Sequence, residues 1–130
     1  FLSLTSEVWG VTYTSNYKST IEKIMPNPKK QYGDAKASLG LIPKVSMEAQ
    51  AAAHQLGADK YGPWNWRDDP VEAMTYINAM LRHIQEWKEI EDNDPDTTKS
   101  HLGNVMACCA IILDAQDFGT LIDDRPKRKE

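Results

Sequence analysis

The sequence has few of the features that mark disulfide-bonded, zinc-binding or membrane proteins. Its 130 residues include two cysteines, and these are adjacent, at Cys108 and Cys109. Neighbouring residues on a helix point about 100° apart, so we expect no bridge between them, and without spaced cysteine pairs there is no zinc-ribbon pattern. We interpret both as small core residues and expect a reducing, cytoplasmic setting. No apolar run reaches the roughly 18 residues of a membrane-spanning helix, so we expect no membrane partner.

An excess of basic residues is also missing. The chain has 15 Lys and Arg against 19 Asp and Glu, which gives a formal net charge of −4 at pH 7. Because duplex binding depends on a dense basic surface, this balance argues against general nucleic-acid binding, while a small anion could still be held by a few placed cations. The one basic cluster lies within residues 125–130, where we expect a solvated tail.

Regular structure is hard to predict in residues 1–45. Residues 7–14 alternate weakly and contain β-prone side chains, which favours a short strand or an extended segment. A capping box that begins at Ser19 predicts a brief helix toward Met25. Prolines and glycines then follow closely and break any long regular element. We therefore predict an irregular N-terminal arm over this range.

Three main helices are predicted in the rest of the chain, at about 46–57, 70–90 and 101–116. Their N termini carry residues that accept hydrogen bonds from free backbone N–H groups, and glycines stand where two of them should stop. We expect the caps to be Ser46, Asp69 and Ser100, and the first and third helices to end at Gly57 and Gly119. After Asp69, Pro70 suits the first helical position and Glu72 completes a capping box.

The apolar pattern of these helices indicates how they pack. In the second helix the large apolar residues repeat at intervals of three and four, which predicts one apolar face made of Met74, Ile77, Met80, Leu81, Ile84 and Trp87. The third helix is apolar nearly all round, as expected of a helix buried on most sides. Short and moderate connections between three such helices predict an all-α fold, a small helical bundle over residues 46–124.

Residues 57–69, G-A-D-K-Y-G-P-W-N-W-R-D-D, form an unusually aromatic connection that we call the aromatic segment. The rings of Tyr61, Trp64 and Trp66 offer flat faces on which a base can stack. Lys60 and Arg67 can meet phosphate, and the amide of Asn65 can pair with a base edge. In the alternative interpretation, the tryptophans plug a small core and the two cations pair with neighbouring acids. The residues alone leave both readings open.

A second group of polar residues follows the second predicted helix. Glu86 and Glu89 lie one turn apart, acids crowd the connection at Glu91, Asp92, Asp94 and Asp96, and His101 and Asn104 lie one turn apart on the third helix. If the two helices are antiparallel neighbours, these groups meet at one end of the bundle, where they could hold Mg²⁺ or Mn²⁺. The alternative is a solvated surface, with His83 a core-edge histidine and His101 part of a helix cap.

Several of these stretches together resemble one protein family. They are G-A-D-K-Y-G-P-W-N-W-R from Gly57, R-H at residues 82–83 followed by Trp87, E-D-N-D-P-D from Glu91, and S-H-L from Ser100. Their order and spacing, over about residues 30–124, resemble a family of small phage and prophage proteins, the dATP/dGTP diphosphohydrolase domains. The resemblance implies a protein that acts on a small nucleotide in the host cytoplasm, cleaving a deoxypurine triphosphate to monophosphate and diphosphate.

Longer members of this family carry a neighbouring domain that is similar to the MazG-type nucleotide pyrophosphohydrolases. Those enzymes hold Mg²⁺ with Glu-x-x-Glu on one helix and Glu-x-x-Asp on the next. Glu86 and Glu89 match the first pair by type, whereas His101 and Asn104 stand at the second, and neutral ligands there should weaken Mg²⁺ binding. This chain also departs from many family members at residues 97–98 and at Asn104, where they have Ser-Gly and a histidine. It contains no His-Asp dipeptide, which excludes the other common helical metal phosphohydrolases in their usual form.

We therefore predict a metal-dependent nucleoside triphosphate pyrophosphohydrolase. The predicted catalytic residues are Glu86, Glu89 and His101. The predicted substrate-binding residues are Lys60, Tyr61, Trp64, Asn65, Trp66, Arg67, Arg82 and His83. The predicted ligands for Mg²⁺ or Mn²⁺ are Glu86, Glu89, Glu91, Asp94, His101 and Asn104. Three alternatives stay open: a protein that binds or sequesters a nucleotide without catalysis, a recognition domain that serves a fused or partner catalytic domain, and an aromatic segment that joins the copies of a homo-oligomer.

Overall fold

The computed structural model describes residues 6–8, 11–13 and 27–129. It divides the chain into two compact units, Phe1–Leu41 and Ile42–Glu130. The brief helix that we predicted between Ser19 and Met25 lies outside the described residues. None of the described helices is long and apolar enough to cross a membrane.

The first unit contains more regular structure than an irregular arm. Strands β1 (Ser6–Val8) and β2 (Val11–Tyr13) pair antiparallel as a hairpin, where we expected a single strand. Helix α1 (Pro28–Asp34) was not predicted. It forms because Asn27 accepts a hydrogen bond from the Lys29 N–H at 2.9 Å and proline suits the first helical position. A single 3₁₀ turn, Leu39–Leu41, follows.

The second unit is built from three long helices, which confirms the prediction of a small all-α bundle. They are α2 (Lys44–Tyr61), α4 (Ala73–Lys88) and α5 (His101–Phe118), with a four-residue helix α3 (Asn65–Asp68) after α2. Two short strands, β3 (Val71–Glu72) and β4 (Leu121–Ile122), pair in parallel and join the start of α4 to the end of α5. Helix α5 packs against both α2 and α4 and is the centre of the unit.

Helix α2 is longer than predicted at both ends. Pro43 occupies the N-cap position, and Ser46 lies inside the helix with its hydroxyl donating to the Pro43 carbonyl at 2.8 Å, so the predicted Ser46 cap is wrong. Gly57 does not end the helix either. The chain leaves the helix at Gly62, whose φ of 90° is accessible to glycine and costly for other residues. The first five residues of the aromatic segment are therefore helical.

The start of α4 is also displaced from its prediction. Asp69 is not its cap, because the backbone N–H of Val71 donates to the Thr120 carbonyl and β3 precedes the helix. Glu72 stands at the N-cap position without a side-chain hydrogen bond, and the Asp124 carboxylate accepts from the Met74 N–H at 2.8 Å. A partner from a distant part of the chain thus replaces the local cap.

The boundaries of α5 follow the sequence prediction. Ser100 caps the helix by accepting from the Gly103 N–H at 3.1 Å, and Gly119, with a φ of 90°, ends it. Both cysteines are free thiols, as expected. Cys108 is half-buried, whereas Cys109 is exposed beside the Met80 sulfur at 3.4 Å, so the prediction that both are core residues is wrong for Cys109.

The core of the second unit is made of small side chains. Among the described residues the buried ones are Ala53, Ala73, His101, Gly103, Ala107 and Ala115. Helices α2 and α5 approach so closely that a Cβ on Gly103 would lie 2.5 Å from the Ala49 carbonyl oxygen. Half of the predicted apolar face of α4 is not covered, since Leu81, Ile84 and Trp87 are exposed. Small contact residues bring the backbones together and leave larger side chains outside.

Candidate functional site

A network centred on Asp114 fixes the aromatic segment to α5. The Asp114 carboxylate accepts from the Trp66 indole N–H at 2.7 Å and from the Arg67 guanidinium through two bonds of 2.8 Å each. The hydrogen bond from Arg67, followed by that from Trp66, lowers the pKa of Asp114 to about 2. The hydroxyl of Thr120 also donates to the Trp66 carbonyl at 2.6 Å. The segment is thus held at a defined distance from α5.

The guanidinium of Arg67 contacts other side chains of the protein. Its guanidinium lies 4.4 Å from the Trp64 ring centroid and 4.9 Å from that of Phe118, in the range of cation–π contacts. Asp114 bonds to the guanidinium, and two aromatic rings lie beside it. Arg67 therefore pairs with an acid, as in our alternative interpretation, and is not free to bind phosphate. Trp64 is not a core plug, because 55% of it is exposed. Its ring centroid lies 5.4 Å from that of Trp66, with the planes tilted by 50°.

A cleft of about 820 Å³ lies between the aromatic segment, α2, α5 and the facing side of α4. Five of the predicted substrate-binding residues line it, namely Lys60, Tyr61, Trp64, Asn65 and Trp66. Most of the remaining lining is small or apolar: Ala53, Gly57, Ala58, Ala79, Ala107, Ala110 and Ile111. Because these helix positions carry short side chains, the helices leave a space of the size that ligand-binding pockets have.

Polar groups are few in this cleft. Asn104 lines it, and its amide N–H donates to the Ser100 carbonyl at 3.1 Å. Tyr76 also lines it, and burial raises the pKa of its hydroxyl, with smaller contributions from Cys108 and Tyr61. His54 reaches the cleft with its ring beside Trp66 and one ring nitrogen 3.2 Å from the Gln50 amide. A mostly apolar lining with a few placed polar groups suits a flat heteroaromatic ligand.

His83, His101 and Glu91 form a second group, which we call the histidine cluster. The Nδ1 atoms of the two imidazoles lie 2.8 Å apart, and His101 Nε2 lies 2.9 Å from a Glu91 carboxylate oxygen. His101 is 2% exposed, although it lies in the first turn of α5. In the tautomer in which His101 donates to Glu91 through Nε2, its Nδ1 accepts from Nδ1 of His83, and Nε2 of His83 is left as an acceptor.

Burial and neighbouring charges shift the pKa of His83 in this cluster. Burial is the main cause that lowers the pKa of His83. The neighbouring His101 and Arg82 lower this pKa further, whereas Asp94 raises it. Backbone N–H groups of Asp96 and Thr97 hold the Asp94 carboxylate and lower its pKa. Asp94 therefore orders the turn before α5, as an acid does in an Asx turn.

Of the six predicted metal ligands, Glu91 and His101 are in contact, but the set does not come together as one metal site. His101 has both ring nitrogens engaged, Glu86 is exposed, and Glu89 is exposed and pairs with Lys88 at 3.0 Å. Among the described residues there is no group of three or more His, Cys, Asp or Glu side chains that could hold a metal ion. Arg82 is exposed, and Asn104 faces the cleft. The residues as arranged do not fit Mg²⁺ or Mn²⁺.

Sequence reasoning missed the residues that hold the site together. Asp114, Phe118 and Tyr76 were not among the predicted site residues. One signal pointed to Asp114, because it is a carboxylate within the apolar run of α5. An acid in a helix that is buried on most sides is expected to have a partner.

The fold and the cleft define a small all-α domain with an aromatic-lined cleft. Its sequence matches the family model described as "dATP/dGTP diphosphohydrolase, N-terminal" over residues 26–125, and the chain belongs to this family. It is 27% identical over 95 residues to a protein of Salmonella phage PMBT28 named "dATP/dGTP diphosphohydrolase". That alignment covers 73% of this chain and 32% of the phage protein, so the chain spans about a third of its relative. No solved structure matches. The family resemblance is thereby confirmed.

Proposed function

We propose that this domain binds a purine deoxynucleoside triphosphate in the cleft, as the nucleotide-recognition part of a dATP/dGTP diphosphohydrolase. One observation carries the proposal: residues of the aromatic segment line a cleft of about 820 Å³ whose other walls are mostly apolar or small. Pockets of roughly 300–1,000 Å³ with such linings are typical of small-molecule sites. The family name supports a purine deoxynucleotide as the ligand.

The cleft provides separate positions for the base and the phosphates. The exposed rings of Tyr61 and Trp64 stand at its mouth, where a base can stack at a gain of about 1–3 kcal/mol per ring. Lys60 is exposed at the same edge and can approach the phosphates as a point charge. Trp66 is held by Asp114, so its ring is positioned before the ligand enters. Such preorganisation reduces the entropy lost on binding.

A second candidate is that the chain itself hydrolyses the nucleotide to monophosphate and diphosphate. The name of the phage relative and the histidine cluster favour it. Asn104 in the cleft lies one helical turn from His101, so the cluster stands close to the ligand site. His83 Nε2 would then accept a proton from water, while the hydrogen bonds from His83 to His101 and from His101 to Glu91 keep the proton of His83 on Nδ1. Dependence on Mg²⁺ or Mn²⁺ stays a prediction from the sequence, and no step here is assigned to a metal.

Titration calorimetry with dATP and dGTP tests both candidates. The binding proposal expects saturable binding in EDTA, with unchanged nucleotide recovered by chromatography. Release of diphosphate after Mn²⁺ or Mg²⁺ is added would support hydrolysis by the chain. The absence of binding with and without metal would remove the proposal.

Two tryptophans provide a matched pair of variants for that titration. Trp64 lines the cleft and is 55% exposed, whereas Trp87 is 46% exposed and does not line it. Trp64→Ala should weaken nucleotide binding roughly tenfold or more, because it removes a stacking face. Trp87→Ala should leave the affinity unchanged. Equal losses in the two variants would contradict the placement of the ligand in the cleft.

A further inference from the structure

The orientation of one amide in the cleft suggests how a base is read, an inference that rests on the proposed nucleotide binding. Asn104 is half-buried on α5 and lines the cleft. Its Nδ2 donates to the Ser100 carbonyl at 3.1 Å. Only the nitrogen end of the amide can donate to a carbonyl, so this bond fixes which end of the side chain carries the oxygen. The opposite end, Oδ1, is the acceptor.

Oδ1 of Asn104 has no hydrogen-bond donor among the described residues. Ala107 and Cys108 lie about one turn further along the same helix, and Tyr76 and Ala79 of α4 line the same cleft. In such an apolar setting an acceptor without a donor is costly, and native proteins normally satisfy it. Because no side chain or backbone N–H of the described residues occupies it, Oδ1 can accept from a ligand that fills the cleft.

We propose that Asn104 is a specificity-determining residue, and that its Oδ1 accepts a hydrogen bond from the exocyclic amino group of a purine base. Adenine and guanine both carry such a group, at N6 and N2. A purine without it would occupy the same apolar walls but leave Oδ1 unsatisfied. A ligand that covers Oδ1 without donating to it removes the acceptor from water and leaves it unpaired, which costs more than the bond contributed and is an effective form of discrimination between similar ligands. In this role the amide serves base selection, whereas the sequence had suggested metal binding for it.

The test compares dATP with the triphosphate of purine 2′-deoxyriboside, which differs only in lacking the N6 amino group. Calorimetry on the wild-type chain in EDTA should give roughly tenfold or more weaker binding of the second ligand. In Asn104→Leu, which keeps the size and removes the acceptor, the two ligands should bind equally. In Asn104→Asp, a carboxylate oxygen takes the place of the amide oxygen as the acceptor, so dATP should again be preferred. Asn78→Leu, at an exposed α4 position outside the cleft, is the matched control and should discriminate as the wild type does.

The outcomes separate this inference from the proposed function. Equal binding of both ligands by the wild-type chain overturns it while leaving nucleotide binding intact. Discrimination that persists in Asn104→Leu overturns the assignment to this residue. Binding of neither ligand overturns both proposals. The wild-type comparison needs no substitution, and circular dichroism establishes whether each variant is folded.

Discussion

The close approach of α2 and α5 makes a sharp prediction about Gly103. In Gly103→Ala the new Cβ would lie 2.5 Å from the Ala49 carbonyl oxygen and 2.9 Å from its carbon. Both are backbone atoms, so neither can rotate away, and ordinary contact begins at 3.4 Å. The two helices must therefore separate by about 0.9 Å, which also changes the width of the cleft between them.

The size of the effect follows from two opposing contributions. Forcing an extra carbon into a well-packed contact costs about 1–3 kcal/mol. Replacing glycine by alanine within a helix returns about 0.5–1 kcal/mol, because the unfolded chain loses conformational freedom. We expect the free energy of unfolding to fall by about 1–2 kcal/mol in Gly103→Ala.

Gly57→Ala measures the second contribution alone. Gly57 also lies inside a long helix, and a Cβ there would meet nothing within 4 Å. Urea denaturation followed by circular dichroism should therefore show that Gly57→Ala is more stable than the wild type by about 0.5–1 kcal/mol. If Gly103→Ala is instead as stable as Gly57→Ala, the helices are not in the contact described, and the geometry of the cleft would have to be revised.

Three further predictions concern other parts of the second unit. Arg67 and Trp66 hold the pKa of Asp114 at about 2, below its ordinary 3.8, so the stability from this group is present above that ordinary value and is lost as the pH falls toward 2. Asp114→Asn should flatten this part of a plot of unfolding free energy against pH. Ser100→Ala removes the cap of α5 and should cost about 1 kcal/mol in urea denaturation. The predicted homo-oligomer joins its copies through the aromatic segment, where Trp64 is 55% exposed, so Trp64→Ala should lower the mass measured by light scattering if that oligomer forms.

Each of these predictions has its own control. Asp123 shares the pH range of Asp114, because Arg125 also lowers its pKa to about 2, so Asp123→Asn must be measured beside Asp114→Asn. Thr98→Ala, at an exposed residue before the Ser100 cap, should cost less than Ser100→Ala. A monomeric wild-type chain would remove the oligomer prediction, and an acid response identical in wild type and Asp114→Asn would contradict the Asp114 network.

Sequence reasoning succeeded where the determining contacts are local. Ser100 and Gly119 bound α5 as predicted, since a cap bonds to an N–H three residues ahead and a terminal glycine needs only its own positive φ. The prediction failed at Asp69, where the local capping pattern is equally good. There β3 pairs with β4 before the helix begins, and the distant carboxylate of Asp124 accepts from the free N–H of the helix instead. No pattern near Asp69 contains that information.

The candidate site, too, was predicted where local sequence determines it and missed where distant contacts do. The aromatic segment was recognised from composition, and five of the substrate-binding residues predicted in it do line one cleft. The state of Arg67 could not be predicted, because its partner Asp114 is 47 residues away. His101 was expected near the acidic cluster, but its two bonds to His83 and Glu91 depend on how α4 and α5 pack. Spacing on each helix gives candidates, and only packing decides which of them meet.

Nuclear magnetic resonance of the indole N–H groups tests the central claim most directly. When the ¹⁵N-labelled chain is titrated with dGTP in EDTA, we predict that the signals of Trp64 and Trp66 move together and saturate. The signal of Trp87 should stay in place, because this residue does not line the cleft. A titration in which Trp87 moves while Trp64 and Trp66 do not, or in which no indole signal moves, would contradict nucleotide binding in the aromatic cleft.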